Sequence, residues 1–292
     1  MGEFIDLYTS PASPFAGSET GFAEAEYVVI GVPLDQTSSY RPGSRFGPQA
    51  IRELSQSIEG FSLRRRRGID ELKIRDAGDL HISGDVEETL RRLKLVTGEI
   101  LKEGKTPIIL GGEHTITAGS AAAIEGRLTI LCFDAHLDLR DEYMGRRTCH
   151  ATVMRRLLEA RRPERMIMVG TRAASREELV YAEEGGVSLI SSMEISREGP
   201  EETSARINRL LSGALYISVD MDVLDPAFAP AVQTPEPEGI STHQLLEIIS
   251  GIDLRGLTGL DVVEVAPLYD SGATAAAAAR IIFEVLTAST GR

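Results

Sequence analysis

The chain has 292 residues, 42% apolar and 26% charged, which suits one large domain or two small ones. Its apolar runs all fall short of the ~20 residues that span a bilayer, and no basic segment leads into an apolar core at the N-terminus, so neither a membrane span nor a signal peptide is expected. A net charge of −13 disfavours nucleic acid and anionic membranes as partners and suits the steering of a small cation. The two cysteines, Cys132 and Cys149, form no disulfide framework, and reduced thiols point to a cytoplasmic protein.

In chain order, strands are expected at 27–32, 72–76, 106–110, 128–133, 166–170, 187–190, 214–219 and 257–263. Helices are expected at 47–57, 85–103, 115–125, 150–161, 175–185, 200–212, 241–251 and 273–289. The helix at 241 has a capping residue, Ser241 or Thr242, just before its apolar pattern. The basic run Arg64 to Arg67 lacks interleaved aromatics and reads as a solvated loop or helix end. Strand–helix alternation with continuous apolar strands predicts a three-layer α/β/α sandwich around a central, mainly parallel sheet. No linker or repeat interrupts the chain, so residues 1–292 read as a single domain, with 1–23 as an N-terminal arm. Ligands of such sheets sit at the carboxyl ends of the strands.

Three strand ends carry the same chemistry. The strand LTILCF (128–133) runs into Asp134, His136 and Asp138, which in an extended chain share one side. The strand at 106–110 continues through Gly111 and Gly112 to His114, and the strand at 214–219 into Asp220 and Asp222. An isolated Asp-x-Asp is ordinarily a turn or cap. Four buried carboxylates converging without a cation would be untenable. The donor set is oxygen-rich and free of thiolate, which suits Mn²⁺ or a similar octahedral ion better than structural zinc. Six side chains fit two ions about 3.5–4 Å apart, whose bridging water becomes a hydroxide nucleophile near neutral pH. Hydrolysis is the expected chemistry. His81 and His243 have no motif around them and read as surface or packing residues. Cys149 beside His150 does not read as a nucleophile pair, because sequence neighbours rarely face each other.

The stretches GGEHT (111–115), FDAHLD (133–138), CHATVMRR (149–156), SVDMDVLDPAFAP (218–230), TPEP (234–237) and DVVEVAP (261–267) resemble the arginase/agmatinase (ureohydrolase) family, most of all its agmatinases. The resemblance implies an α/β/α fold, two Mn²⁺ per chain, and hydrolysis of a guanidinium to urea and an amine. By position, Asp134 and Asp220 resemble the bridging carboxylates. His114 and Asp138 would complete one ion's shell, and His136 and Asp222 the other's. His150 resembles the catalytic histidine outside the metal shell, suited to shuttle a proton to the leaving amine. Glu264 resembles the carboxylate that holds the substrate guanidinium. Asp138, beside the bridging water, is a candidate proton acceptor. The plainer alternatives are that His150 caps its helix and that Glu264 pairs with Arg280.

The loop LRDEYMGRRT (139–148) lacks the asparagine- and serine-rich pattern with which arginases read their amino acid, and resembles agmatinases. Asp141 or Glu142 would favour a second cationic end, as in agmatine; Arg140, Arg146 and Arg147 would favour a carboxylate, as in guanidinobutyrate. Agmatine, cleaved to putrescine and urea in polyamine synthesis, is the expected substrate, with aminopropylagmatine, guanidinobutyrate and arginine as alternatives. Gln233 and Glu238 stand where the family commonly has glycine, and Gln233 is expected to narrow the pocket or bond the substrate tail. The segment 40–53 is expected at its mouth, and a homotrimer or homohexamer is implied. Two rivals are a metal-dependent deacetylase of related fold and a non-catalytic homologue. The full six-ligand set and Glu264 argue against the first, and the second would be marked by a lost ligand, of which there is none.

Overall fold

The computed structural model describes residues 2–289. The elements run α1 (Glu3–Tyr8), β1 (Thr9–Ser10), β2 (Tyr27–Val32), α2 (Gly47–Ser55), β3 (Phe61–Ser62), β4 (Arg67–Gly68), β5 (Ile74–Leu80), α3 (Val86–Lys102), β6 (Thr106–Gly111), α4 (Thr117–Ala121), β7 (Leu128–Phe133), α5 (Val153–Ala160), β8 (Arg165–Thr171), α6 (Arg176–Glu184), β9 (Ser188–Ser191), α7 (Ser192–Leu210), β10 (Ala214–Asp220), α8 (Thr242–Gly251), β11 (Leu257–Val263) and α9 (Ala273–Ser289). Nine strands form one sheet in the order β1-β5-β2-β6-β11-β10-β7-β8-β9, and β3 and β4 make a separate hairpin. The sheet is parallel apart from β1, which pairs antiparallel with β5.

Every residue of β2 and β7 is buried, because helices cover both faces. Successive side chains alternate between the two cores: Leu131 and Phe133 join the cluster under α2, α7, α8 and α9, while Ile130 and Cys132 join the one under α5 and α6. The three-layer sandwich is thus observed as the sequence predicts.

Several boundaries differ for local reasons. The strand expected at 72–76 is Ile74–Leu80, carrying acidic residues that mask its pattern. One of them, Asp76, takes Arg52 Nε at 2.8 Å and Nη2 at 2.9 Å; Nη1 reaches Asp79 at 2.5 Å. The helix expected at 115–125 is a 3₁₀ turn, His114–Ile116, followed by the short α4. The helix expected at 200–212 begins at Ser192, capped by Ser191 and Glu194, and kinks where Gly199 adopts φ 81° before Pro200. Arg64 and Arg65 sit in the β3–β4 turn, an exposed loop as expected, and bond Glu247 (2.7 Å) and the Ser250 carbonyl (2.5 Å), docking the hairpin on α8. The two-residue strands and α1 carry too little pattern to be read. α1 is held by its contacts: Ile5 is fully buried, and Glu99 of α3 accepts from the Phe4 and Ile5 amides.

Arg52 is only 1% exposed and ties α2 to β5. Arg52→Met is expected to destabilise the fold by roughly 3–5 kcal/mol, because it leaves Asp76 charged and unpaired in the interior. Thermal unfolding checks this, and a loss below about 1 kcal/mol would assign the anchoring to the alkyl stem instead.

Candidate active site

Strands β6, β11, β10 and β7 are consecutive neighbours at the centre of the sheet, and their carboxyl ends point the same way. The chain leaves them carrying His114, Glu264, Asp220 and Asp134. A Cβ at Gly112 would lie 1.9 Å from the Leu34 carbonyl oxygen, so only glycine lets β6 turn into the His114 segment. Asp138 (φ 52°) and Glu264 (φ 67°) are held in the left-handed region that disfavours non-glycine residues. Such conformations cost about 1–3 kcal/mol each and concentrate at functional sites.

The geometry centres on two imidazoles among four carboxylates. His114 Nδ1 lies 3.1 Å from Asp134 Oδ2, 3.1 Å from Asp138 Oδ2 and 3.4 Å from Asp220 Oδ2. His136 Nδ1 lies 2.9 Å from Asp222 Oδ2 and 3.6 Å from Asp134 Oδ1. Asp134 therefore turns one oxygen toward each imidazole. Backbone amides hold the carboxylates in place: His136 N donates to Asp134 (2.6 Å), Ala135 N to Asp222 (3.0 Å) and Asp222 N to Asp220 (2.8 Å).

Below this cluster lies a buried network. Asp261 accepts from Ser218 (2.5 Å), Tyr216 (2.7 Å) and Thr117 (2.8 Å). With its proton given to Asp261, the Ser218 hydroxyl accepts from His114 Nε2 at 3.0 Å. That tautomer turns the Nδ1 lone pair toward carboxylate oxygens, and Nδ1 is buried without a hydrogen-bond partner. Burial, with Asp134 alongside, pushes the Asp138 carboxyl up to about 7. Burial, with Asp222 and Asp134, pushes Asp220 well above the usual carboxylate range. A buried nitrogen without a hydrogen-bond partner, set among three carboxylates of which Asp138 and Asp220 resist ionisation, is an environment a cation fits. Asp134, His136 and Asp222 form one group able to hold a metal ion; His114 and Asp134, with Cys132, form another. Burial pushes the Cys132 thiol up, which keeps it protonated.

These groups open into a cleft of about 480 Å³ whose wall includes Ser39, Tyr40, Arg140, Tyr143, His150 and Glu236. Glu264 Oε1 accepts from the His114 amide at 2.6 Å, while Oε2 is buried and unpartnered. His150 Nδ1 is 3.2 Å from Thr37 Oγ1 and Nε2 is 3.2 Å from Ser39 Oγ. Burial, with His136 and His114 nearby, lowers the His150 pKa to about 4. Glu236 Oε1 is 3.6 Å from His136 Nε2.

All eight residues picked from the sequence, His114, Asp134, His136, Asp138, His150, Asp220, Asp222 and Glu264, thus gather around one cleft. Of the expected tail readers, Arg140 alone lines it. Gln233 is buried and hydrogen-bonded to Ser44 outside the cleft wall, because its loop turns that side chain inward; the neighbouring Thr234, Pro235 and Glu236 face the cleft instead. Glu238 adopts φ 63° on an exposed bend. Asp141 is engaged by Arg147 (3.0 Å) and Arg156 (2.7 Å), and Arg146 by the Gln36 carbonyl, so Arg140 and Tyr143 are what loop 139–148 offers the cleft. Arg280 bonds the Glu59 carbonyl, not Glu264. The Cys149 thiol faces Thr152 and the Arg146 carbonyl, not the His150 ring. His81 meets Ser10, and His243 meets Arg64, both away from the cleft. Sequence reasoning missed Arg172, whose guanidinium gathers the carbonyls of Asp222 (2.7 Å), Glu236 (2.8 Å) and Pro237 (2.7 Å) and so joins the two loops flanking His136.

The sandwich carries a polar His/Asp cluster able to hold metal at its central strand ends, and the comparisons with known proteins give its family. Residues 25–288 match the Arginase family. The chain is 37% identical to an agmatinase of Bacillus anthracis over 93% of this chain and 94% of that one. It is 33% identical to a guanidinobutyrase of Pseudomonas aeruginosa over 98% and 93%. The crystal structure of the agmatine ureohydrolase of Thermoplasma volcanium superposes with a TM-score of 0.89 at 36% identity, over 96% of this chain and 95% of that one. The chain belongs to the arginase family, and it is a ureohydrolase, an enzyme acting on C–N bonds.

Titration with Mn²⁺ is expected to raise the unfolding midpoint, by about 2.7 kcal/mol of stability at a hundredfold excess over Kd. Asp134→Asn, which weakens both groups at once, is expected to lose most of that shift. An unchanged shift in the variant would place the bound ion elsewhere.

Proposed function

We propose that this enzyme hydrolyses the guanidino group of agmatine to putrescine and urea. The observation that carries the reading is that Glu264 and His114 line the same cleft and each keeps a buried polar atom, Oε2 and Nδ1, without a hydrogen-bond partner. One wants a donor-bearing cation, the other a metal. His114, Asp134, Asp138 and Asp220 would hold one divalent ion, and Asp134, His136, Asp220 and Asp222 a second. The oxygen-rich set favours Mn²⁺. Bound there, the ions offset the four carboxylates and supply a water acidic enough to lose its proton near neutral pH.

The rest is done by the chain's own groups. Glu264 receives the substrate guanidinium, whose donor fork matches a carboxylate, and holds its carbon over the His/Asp cluster. Asp138, whose side chain lines the cleft beside His114, would take the proton of that water. His150 is neutral at rest and faces the cleft, so it can carry a proton to the departing amine. Glu236 at the wall suits the distal ammonium of agmatine, and the net charge of −13 steers a dication inward. Arg140, whose guanidinium lies 5.4 Å over the Tyr143 ring, favours a second reading with a carboxylate-tailed substrate such as guanidinobutyrate. Aminopropylagmatine and arginine are further arms of the test. A deacetylase would have no use for Glu264 beside a complete six-ligand set. We read the chain as a single cytoplasmic domain acting in a homotrimer or homohexamer, with both cysteines buried and reduced. Among the described residues no helix is long and apolar enough to cross a membrane.

Urea release is measured with agmatine, aminopropylagmatine, arginine and guanidinobutyrate, with metal counted per chain. About two ions per chain and a preference for agmatine are expected. His150→Ala is expected to keep the metal and lose about 10²–10⁴-fold in kcat. Glu264→Gln is expected to lose about 10–100-fold in kcat/KM by weakening a charge-assisted bond. No urea from any of the four substrates at full metal loading would overturn the reading. A preference for guanidinobutyrate would shift the tail-reading role from Glu236 to Arg140.

A further inference from the structure

His150 is held by a buried chain of hydrogen bonds whose polarity is set at its far end. Glu113, fully buried beside His114, accepts from the Thr37 amide on Oε2 (2.7 Å) and from the Thr37 and Thr115 hydroxyls on Oε1 (2.7 Å each). A hydroxyl has one proton to give. Thr37 spends its proton on Glu113, so its oxygen can only accept. Two groups of His150 face that oxygen: the backbone amide at 3.2 Å and Nδ1 at 3.2 Å. The amide is a donor in any case, and Nδ1 must be one too. The Tyr143 ring stands edge-on to the imidazole at 5.8 Å and 88°, which fixes the ring plane.

We propose that Thr37 and Glu113 are positioning residues for His150: they place its proton on Nδ1 and leave Nε2 unprotonated toward the cleft, where it accepts from the Ser39 hydroxyl. This rests on the reading of His150 as the group that moves a proton in the reaction. Nε2 is then the nitrogen that takes up, on the cleft side beside Ser39 Oγ, the proton that water gives to Asp138, and passes it to the departing amine, while Nδ1–H stays anchored on Thr37. In the opposite tautomer the lone pair would be buried against Thr37, and Nε2–H would have a proton to give but none to accept. The sequence separation hides the arrangement: Thr37 lies 113 residues from His150 and 76 from Glu113.

Three variants test this in the metal-loaded protein. Thr37→Val keeps the shape and removes the hydroxyl, Thr37→Ser keeps the hydroxyl, and Glu113→Gln supplies a donor that frees the Thr37 proton. Thr37→Val is expected to hold its metal, keep KM within about twofold and lose roughly 10- to 100-fold in kcat, with Thr37→Ser recovering most of it. The second readout needs no substrate. In zinc-loaded, ¹⁵N-histidine-labelled protein, ring-nitrogen shifts report the tautomer, with His150 assigned by difference from His150→Asn. The Nδ1–H form is expected in the parent and in Thr37→Ser, and a shift toward Nε2–H in Thr37→Val and Glu113→Gln. An Nε2–H form in the parent, or an unchanged tautomer and kcat in Thr37→Val, would overturn the proposal. So would a loss in Thr37→Val that appears in metal content or KM alone, since a merely structural role would act there. If the parent releases no urea from any guanidino compound, the functional reading fails, and the ring shifts still decide the hydrogen-bond polarity.

Discussion

Everything in this molecule answers to one electrostatic constraint: four carboxylates converge at the buried ends of adjacent parallel strands. Two like charges 4 Å apart repel by about 4 kcal/mol at the effective dielectric of a protein surface, and burial adds to this. The fold meets the problem in two ways. It points backbone amides at three of the four carboxylates: His136 N at Asp134, Ala135 N at Asp222 and Asp222 N at Asp220. It also orients His114 through Ser218 and Asp261, so that a lone pair rather than a proton faces the acids. Both devices shape a place for positive charge. Neither removes the need for it.

The same constraint explains where backbone strain is tolerated. Asp138 and Glu264 leave their segments in left-handed conformations, and each is held by tertiary bonds on either side. The Asp138 carbonyl accepts from Met154 N at 3.1 Å, which welds it to the start of α5 just beyond His150. Glu264 N donates to the Gly112 carbonyl at 2.9 Å, and Val265 bridges to Val232. These anchors tie the strained residues to the segments that carry His150, His114 and the Glu236 loop. Strain, anchoring and chemistry therefore share one set of contacts, and a change in any of these loops is felt at the carboxylates.

The cluster was legible in the sequence because each strand end announces itself: an apolar run stops, and ionisable residues follow with period two. Asp134, His136 and Asp138 after LTILCF, and Asp220 and Asp222 after ALYISV, needed only that rule. The sandwich was legible for the same reason, since continuous apolar strands demand cover on both faces. What stayed hidden depends on long-range pairing or on loop side-chain direction. Asp261 lies inside β11, where a lone acid looks like a flaw in a core strand until Tyr216, Ser218 and Thr117 are seen around it. Gln233 was placed correctly in its motif and pointed the wrong way, because no periodicity fixes orientation in a loop. Arg172 serves carbonyls 50 and 64 residues away, which no local pattern encodes.

This division between legible and hidden follows the way the cleft is built. Its floor is built from strand termini, whose neighbours are set by sheet register, so it is rigid and readable. Its walls come from loops 139–148 and 234–238, where side chains take their direction from salt bridges and carbonyl cages. Asp141 is drawn away from the cleft by Arg147 and Arg156, while Arg140 stays in its wall, half-exposed, over the Tyr143 ring and 3.6 Å from Glu178. Glu236 was brought to the other wall by a loop that Arg172 holds by its backbone. Opposite charges thus line the cleft from two loops that no strand orders, above a His/Asp cluster that the sheet holds in register.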